Sequence, residues 1–187
     1  MSPRLLSLIA VLVSIIVLVP RADAQEVVPA PDPRPSPLAL AQITLGDGTY
    51  VKVHYSSPRK RGRDIFGGLV PFDSVWRLGA NEATEMTTTG PIRFGGERLQ
   101  AGTYSLFAIP RAESWTIIVN RNLGQWGAFS YAEDADVLRV DVPTQSTDSI
   151  HEAFTMALEE AEGDADARLV ITWDQTQVVV PIASASN

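Results

Sequence analysis

The sequence predicts an all-β fold: a single antiparallel β-sandwich or flattened barrel, jelly-roll-like, with about nine or ten strands. Three observations carry this. Short segments rich in Val, Ile, Thr and aromatic residues recur at fairly regular spacing, broken by Gly, Pro and Asp turns. Periodic helical stretches are almost absent. No self-similar period of about 20 to 50 residues is visible, which excludes a propeller or solenoid.

The first pair of strands, 41–45 and 49–55, is joined through Gly46-Asp47-Gly48, a hairpin loop with glycines available for positive φ. In the second strand Val51, Val53 and Tyr55 share one face and Tyr50, Lys52 and His54 the other, so His54 points away from the core. Strands at 85–89, 92–94, 98–99, 103–109 and 115–120 follow, separated by the turns Gly95-Gly96 and Ala101-Gly102. In 103–109 both faces are apolar, which predicts a central strand covered on both sides. Further strands are expected at 137–142 and 151–158. The second of these has helix-favouring composition, but its Phe154, Met156 and Leu158 align at period two. A last hairpin, 168–173 and 177–182, turns at Asp174-Gln175-Thr176.

The ends bound the domain. Residues 1–24 read as an export signal, with Arg4 ahead of a largely apolar 15-residue run, 5–19, and Ala22-Asp23-Ala24 as a cleavage site before Gln25. That run falls short of the roughly 20 residues a spanning helix needs, so no membrane span is expected after cleavage. Residues 25–37 form a spacer in which every second position from Pro29 to Pro37 is proline, stiff and polyproline-II-like. Residues 38–183 then form one domain, large enough for a self-sufficient core, and 184–187 a tail. The expected location is periplasmic or extracellular. With no cysteine in the chain, thiol nucleophiles, cysteine metal sites and lipid attachment through cysteine are excluded.

Net charge is −7, and loss of Arg4, Arg21 and Asp23 with the signal makes it −8. This balance argues against nucleic acid or an anionic membrane as partner. Arg59, Lys60, Arg61 and Arg63 make a local basic cluster, read as a solvated loop. The acidic runs 133–136 and 159–166 are read the same way.

Between the second and third strands lies a stretch, 57–89, in which charged residues and glycines alternate with apolar anchors at no fixed period. A long loop of this composition is expected to be ordered and to carry any function. The segments GRDIFGGLVPFDSVWRLGANEAT from Gly62, GERLQAGTYSLFAIP from Gly96, WTIIVNRNLGQWGAF from Trp115 and LVITWDQTQVVVPI from Leu169 occur in that order. In this the chain resembles a bacterial family known as domain of unknown function 2911. The resemblance spans nearly all of the expected domain. It implies an exported bacterial protein with no assigned activity.

Candidate ligand-binding residues are Arg77, Asn81, Glu82, Gln125 and Trp126. The turn at Gly79 allows Arg77 to form a bidentate pair with Glu82, either stapling the loop or holding a carboxylate or sugar hydroxyls. In the functional alternative, a Glu82 carboxyl partly desolvated near an indole has a raised pKa suited to acid–base work. Gly124 and Gly127 flank Gln125 and Trp126, and Trp126 is expected to plug one end of the sandwich, the alternative being an outward stacking platform. Two histidines, His54 and His151, on separate strands do not make a zinc site, and Asp164-Ala165-Asp166 lacks the glycine and glutamate of a calcium loop. No metal or cofactor is expected. No G-x-S-x-G elbow occurs, and GRDIFGGL lacks the lysine of a phosphate loop.

The expected function is therefore a non-enzymatic exported domain that binds a carbohydrate or other cell-envelope ligand. One alternative is a hydrolase using Glu82 with Asp64 or Glu85. The other is a structural or assembly protein of the envelope.

Overall fold

The computed structural model describes residues 34–185. The expected signal peptide and all but the last residues of the expected spacer lie outside them. The described residues form nine strands: β1 (Leu38–Thr44), β2 (Tyr50–Ser56), β3 (Thr84–Thr88), β4 (Ile92–Phe94), β5 (Glu97–Leu99), β6 (Gly102–Pro110), β7 (Ser114–Asn120), β8 (Asp136–Glu160) and β9 (Ala167–Ser184). All ladders are antiparallel and run in the order β1-β2-β3-β6-β7-β8-β9-β4-β5, an unclosed sheet. The all-β expectation holds. The helical content of the described residues is one 3-10 turn, Glu133–Ala135.

Two expected pairs of strands are each one strand. The segments 137–142 and 151–158 both belong to the 25-residue β8, and the expected final hairpin is the continuous 18-residue β9. The polar stretches that read as turns are exposed or half-buried positions where the β8–β9 ladder slips, between Ser146 and His151 and again before Thr155. Asp174, opposite His151, takes a left-handed φ of 54°. A bulge of this kind bends a strand without reversing it. The first part of β8 pairs with β7 and the rest with β9, so this bent hairpin turns the sheet over its own core.

Alternation decides which face is inside. Val51, Val53 and Tyr55 of β2 are buried while Lys52 and His54 are exposed, as their period-two spacing requires. Tyr55 reaches β8, where its ring meets Phe154 edge-on at 5.7 Å and its hydroxyl donates to the Met156 carbonyl at 3.2 Å. The central strand β6 is covered on both faces. Leu106 and Ala108 join the main core, and Phe107 joins a smaller cluster with Ala83 and Ile118.

That smaller cluster lies under the segment 121–135, whose Tyr131 packs on Phe107 at 5.1 Å. Tyr131 donates to Asp136 Oδ2 at 2.7 Å, and Asn120 Nδ2 donates to Asp136 Oδ1 at the same distance. Burial, then the bond and charge of Asp136, push the Tyr131 phenol up to about 12. The acidic run at 133–136 is thus partly structural, since Asp136 anchors this covering segment.

The main core ends in an aromatic box. Trp115 of β7, Phe154 of β8 and Trp173 of β9 line it, and the loop between β2 and β3 supplies Phe66 and Trp76. Phe66 lies 4.9 Å from Trp115, and Trp76 stacks on Trp173 at 6.0 Å with 19° between the planes. Trp76 also meets Trp115 edge-on at 5.8 Å and Phe154 at 5.3 Å. Each such contact adds about 0.5–1.5 kcal/mol to the burial of the rings. Trp76→Ala is expected to lower unfolding free energy by about 3–5 kcal/mol in urea titration; a loss below about 1 kcal/mol would show that the loop does not close the core.

Candidate functional site

The loop from 57 to 83 is built as a second, irregular layer. Its start is sewn to β8: Phe154 donates its backbone N–H to Pro58 O at 2.8 Å, Lys60 donates to Glu152 O at 2.7 Å, and Ser57 Oγ donates to Phe154 O at 2.7 Å. A compact turn follows, in which Leu69 N–H donates to Asp64 O and Val70 N–H to Ile65 O. Gly68 is required there, because a Cβ would lie 2.6 Å from the Asp64 carbonyl oxygen. Ile65 and Val70 are buried and point this turn at the core.

At Trp76 the loop adds a short rung to the sheet, exchanging two backbone hydrogen bonds with Ala108 at 2.7 and 2.8 Å. The next residues turn sharply. Leu78 and Asn81 have φ of 54° and 58°, and a Cβ on Gly79 would come within 2.9 Å of Ser56 O. Left-handed non-glycine residues cost on the order of 1 kcal/mol or more each. The bonds Trp76 Nε1 to Gly79 O and Thr84 Oγ1 to Leu78 O, with the fully buried Leu78 side chain, hold the turn in place.

The expected site residues are partly brought together. Glu82 and Trp126 face each other across an isolated antiparallel bridge, flanked by Ala83 N–H to Gln125 O and Gly127 N–H to Asn81 O, both at 2.9 Å. Trp126 does not plug the sandwich. It is 60% exposed, and Phe66 and Trp76 take that place. Gln125 is buried and donates to Asn122 O at 2.9 Å, so its side chain ties its own turn together.

The expected pair of Arg77 with Glu82 does not form. Arg34 Nη1 instead donates to both Glu82 carboxylate oxygens, at 2.7 and 2.8 Å. Residues 34–37 of the expected spacer are consequently fastened to the loop, with further bonds from Ser57 N–H to Pro37 O and Arg61 Nη2 to Pro35 O. Burial raises the Glu82 pKa, but the Arg34 bond, its own backbone N–H and the charges of Arg34 and His54 outweigh it, and the net shift is downward. The raised pKa of the functional alternative is therefore overturned: Arg34 supplies the partner that Arg77 does not.

Arg77 faces a different environment. It is half-buried, its Nε has no hydrogen-bond partner among the described residues, and burial lowers its pKa. It lines a cleft of about 600 Å³ together with Arg59, Arg61 and Arg63. Trp76 and Trp173 form its buried floor, and Asn81 and the 86%-exposed Phe129 border it. Arg63 donates to Lys60 O at 3.0 Å and Arg59 O at 2.6 Å, which orients the guanidinium without neutralising it. The basic cluster at 59–63 is thus more than a solvated loop, because the fold sets it beside Arg77, more than ten residues along the chain. Four basic residues within five positions of an acidic protein was the available signal.

The carboxylates proposed as hydrolytic partners are placed elsewhere. Glu85 accepts the Gly124 N–H at 2.9 Å, and Asp64 is exposed on the compact turn. Among the described residues no Asp or Glu lines the cleft, and no group of three or more His, Asp or Glu is placed to hold a metal ion.

A sheet this long closed by one aromatic-anchored loop defines a β-rich domain with a cleft at its closed end. Residues 36–182 match the family described as Protein of unknown function (DUF2911), and the chain belongs to that family. No curated protein and no solved structure matches it.

The Arg34–Glu82 pair has a pH signature. A glutamate with lowered folded-state pKa contributes stability above its ordinary range and loses it as pH falls through the folded value. Both side chains are about a third exposed, so the contribution is small, about 0.2–1 kcal/mol. Glu82→Gln should lower neutral stability by about that 0.2–1 kcal/mol and leave acid stability little changed, so that the acid limb of melting temperature flattens between about pH 5 and 3. An unchanged acid limb would contradict the pairing.

Proposed function

We propose that this chain is an exported binding domain, without catalysis, that holds a carbohydrate or other cell-envelope component in the cleft beneath the 57–83 loop. The observation that carries the reading is the cleft itself. Its volume of about 600 Å³ is within the range of small-molecule sites, and arginines and Asn81 surround an aromatic floor. Planar donors beside aromatic faces suit a polyhydroxylated ring, which offers acceptors at its edge and an apolar face.

Hydrolysis is less well supported. A glycosidase of the common kind needs one carboxyl held protonated near a second, and Glu82 is ionised and bound to Arg34. Among the described residues the cleft lining contains no carboxylate to replace it.

Trp76 and Trp173 lie under the cleft, so the protein carries its own reporter. Titration of the 25–187 chain with a panel of glycans and peptidoglycan fragments should change tryptophan fluorescence for at least one member, and Phe129→Ala should weaken that response. A flat response across the panel would refute the binding reading. Export is checked separately by mass spectrometry of the cellular protein, which should begin at Gln25 and be found outside the cytoplasm; an intact chain retained in the cytoplasm would refute it.

A further inference from the structure

Arg59, Arg61, Arg63 and Arg77 line one cleft in a chain of net charge −7. Like charges gathered at one place repel, and ordinarily interspersed carboxylates relieve this. Here three nearby carboxylates pair with bases outside the cleft, and the exposed Asp64 and Glu152 border the cluster without pairing a cleft arginine side chain. Glu82 is bound by Arg34, Asp174 by Lys60 at 2.6 Å and Asp73 by Arg111 at 2.9 Å, while Glu152 accepts the backbone N–H of Arg61. The arginines of the cleft make no ion pair among the described residues.

Two of them are held in position through neutral partners. Arg63 donates to two backbone carbonyls, and Arg61 donates to Pro35 O at 3.3 Å. These bonds fix the forks but leave the charge uncompensated. The side chains of Arg59 and Arg77 have no hydrogen-bond partner among the described residues, and the Arg77 Nε is buried as well. A single N–H withdrawn from water without an acceptor, here the Arg77 Nε–H, destabilises the folded chain, and a guanidinium stays protonated under all ordinary conditions. A site that keeps such a group is organised for an acceptor that arrives from outside.

Resting on the cleft-binding reading above, we propose that the ligand is anionic. The cleft receives a phosphate or carboxylate carried on a sugar-like body, with Arg77 and Arg59 as its direct donors and Arg61 and Arg63 supplying oriented positive charge. Guanidinium forks match both groups in a bidentate manner. The body of the ligand rests toward Phe129 and the aromatic floor.

The test is calorimetric titration of the 25–187 chain with glucose 1-phosphate, glucuronate, inorganic phosphate and neutral glucose. The variants are Arg59→Ala, Arg77→Gln and, as an exposed arginine outside the cleft, Arg121→Ala. At least one anionic sugar should bind at least about tenfold more tightly than glucose, and the phosphate and carboxylate arms identify which anion is preferred. Arg59→Ala and Arg77→Gln should each weaken that binding by about tenfold, added salt should weaken it further, and Arg121→Ala should not change it. Arg77→Gln should melt no lower than the parent chain.

Glucose binding as tightly as the anionic sugars, with the same loss in Phe129→Ala, would overturn the anionic assignment and leave the binding reading standing. Failure of all four probes, together with a flat glycan panel, would overturn both. Undiminished anion binding in Arg59→Ala combined with a lowered melting temperature in Arg77→Gln would assign the arginines to the scaffold and overturn the proposal.

Discussion

Trp76 is the residue on which the rest of this structure depends. Its indole fills the aromatic box made by Trp115, Phe154 and Trp173, and its backbone extends the sheet at Ala108. Neither could be satisfied by a strand, because the sheet is unclosed and its core needs a cover at that end. A loop must provide it, and a loop that buries backbone must satisfy its own hydrogen bonds. The sewing to β8, the 64–70 turn and the strained turn at 78–81 follow from this requirement.

The cleft is a consequence of the same arrangement. Anchoring Trp76 fixes Arg77 one residue later at the boundary of the core, where its guanidinium is partly desolvated. Joining the start of the loop to β8 brings Arg59, Arg61 and Arg63 around to the same place. Nearby carboxylates are then drawn into bonds that secure the loop, Glu82 with Arg34 and Asp174 with Lys60. Positive charge collects at the cleft because negative charge is used to fasten its walls.

Much of the fold was legible because β-structure with one buried face writes itself as alternation. Val51, Val53 and Tyr55 reported their face, and the two apolar faces of β6 reported its central place. What misled was polarity inside a strand. Asp174-Gln175-Thr176 has turn composition, yet one left-handed residue in a bent ladder needs that composition too. The candidate site was legible only in part. Glycines at 124 and 127 located the turn that meets Asn81 and Glu82, but the partner of Glu82 was Arg34, distant in sequence and in a proline-rich segment. Trp126 was expected as the plug that Phe66 and Trp76 provide: Trp126 and Trp76 are both tryptophans on loops, and only tertiary packing distinguishes the one that is buried.

Hydrogen exchange at the loop amides addresses the central claim most directly. If Trp76 and its turn complete the core, the amides of Val70, Trp76 and Ala108 should exchange as slowly as those of Ile117 and Val119 in β7, and should be released with them in global unfolding. Exchange of Val70 and Trp76 at rates typical of surface loops, while β7 stays protected, would contradict the account.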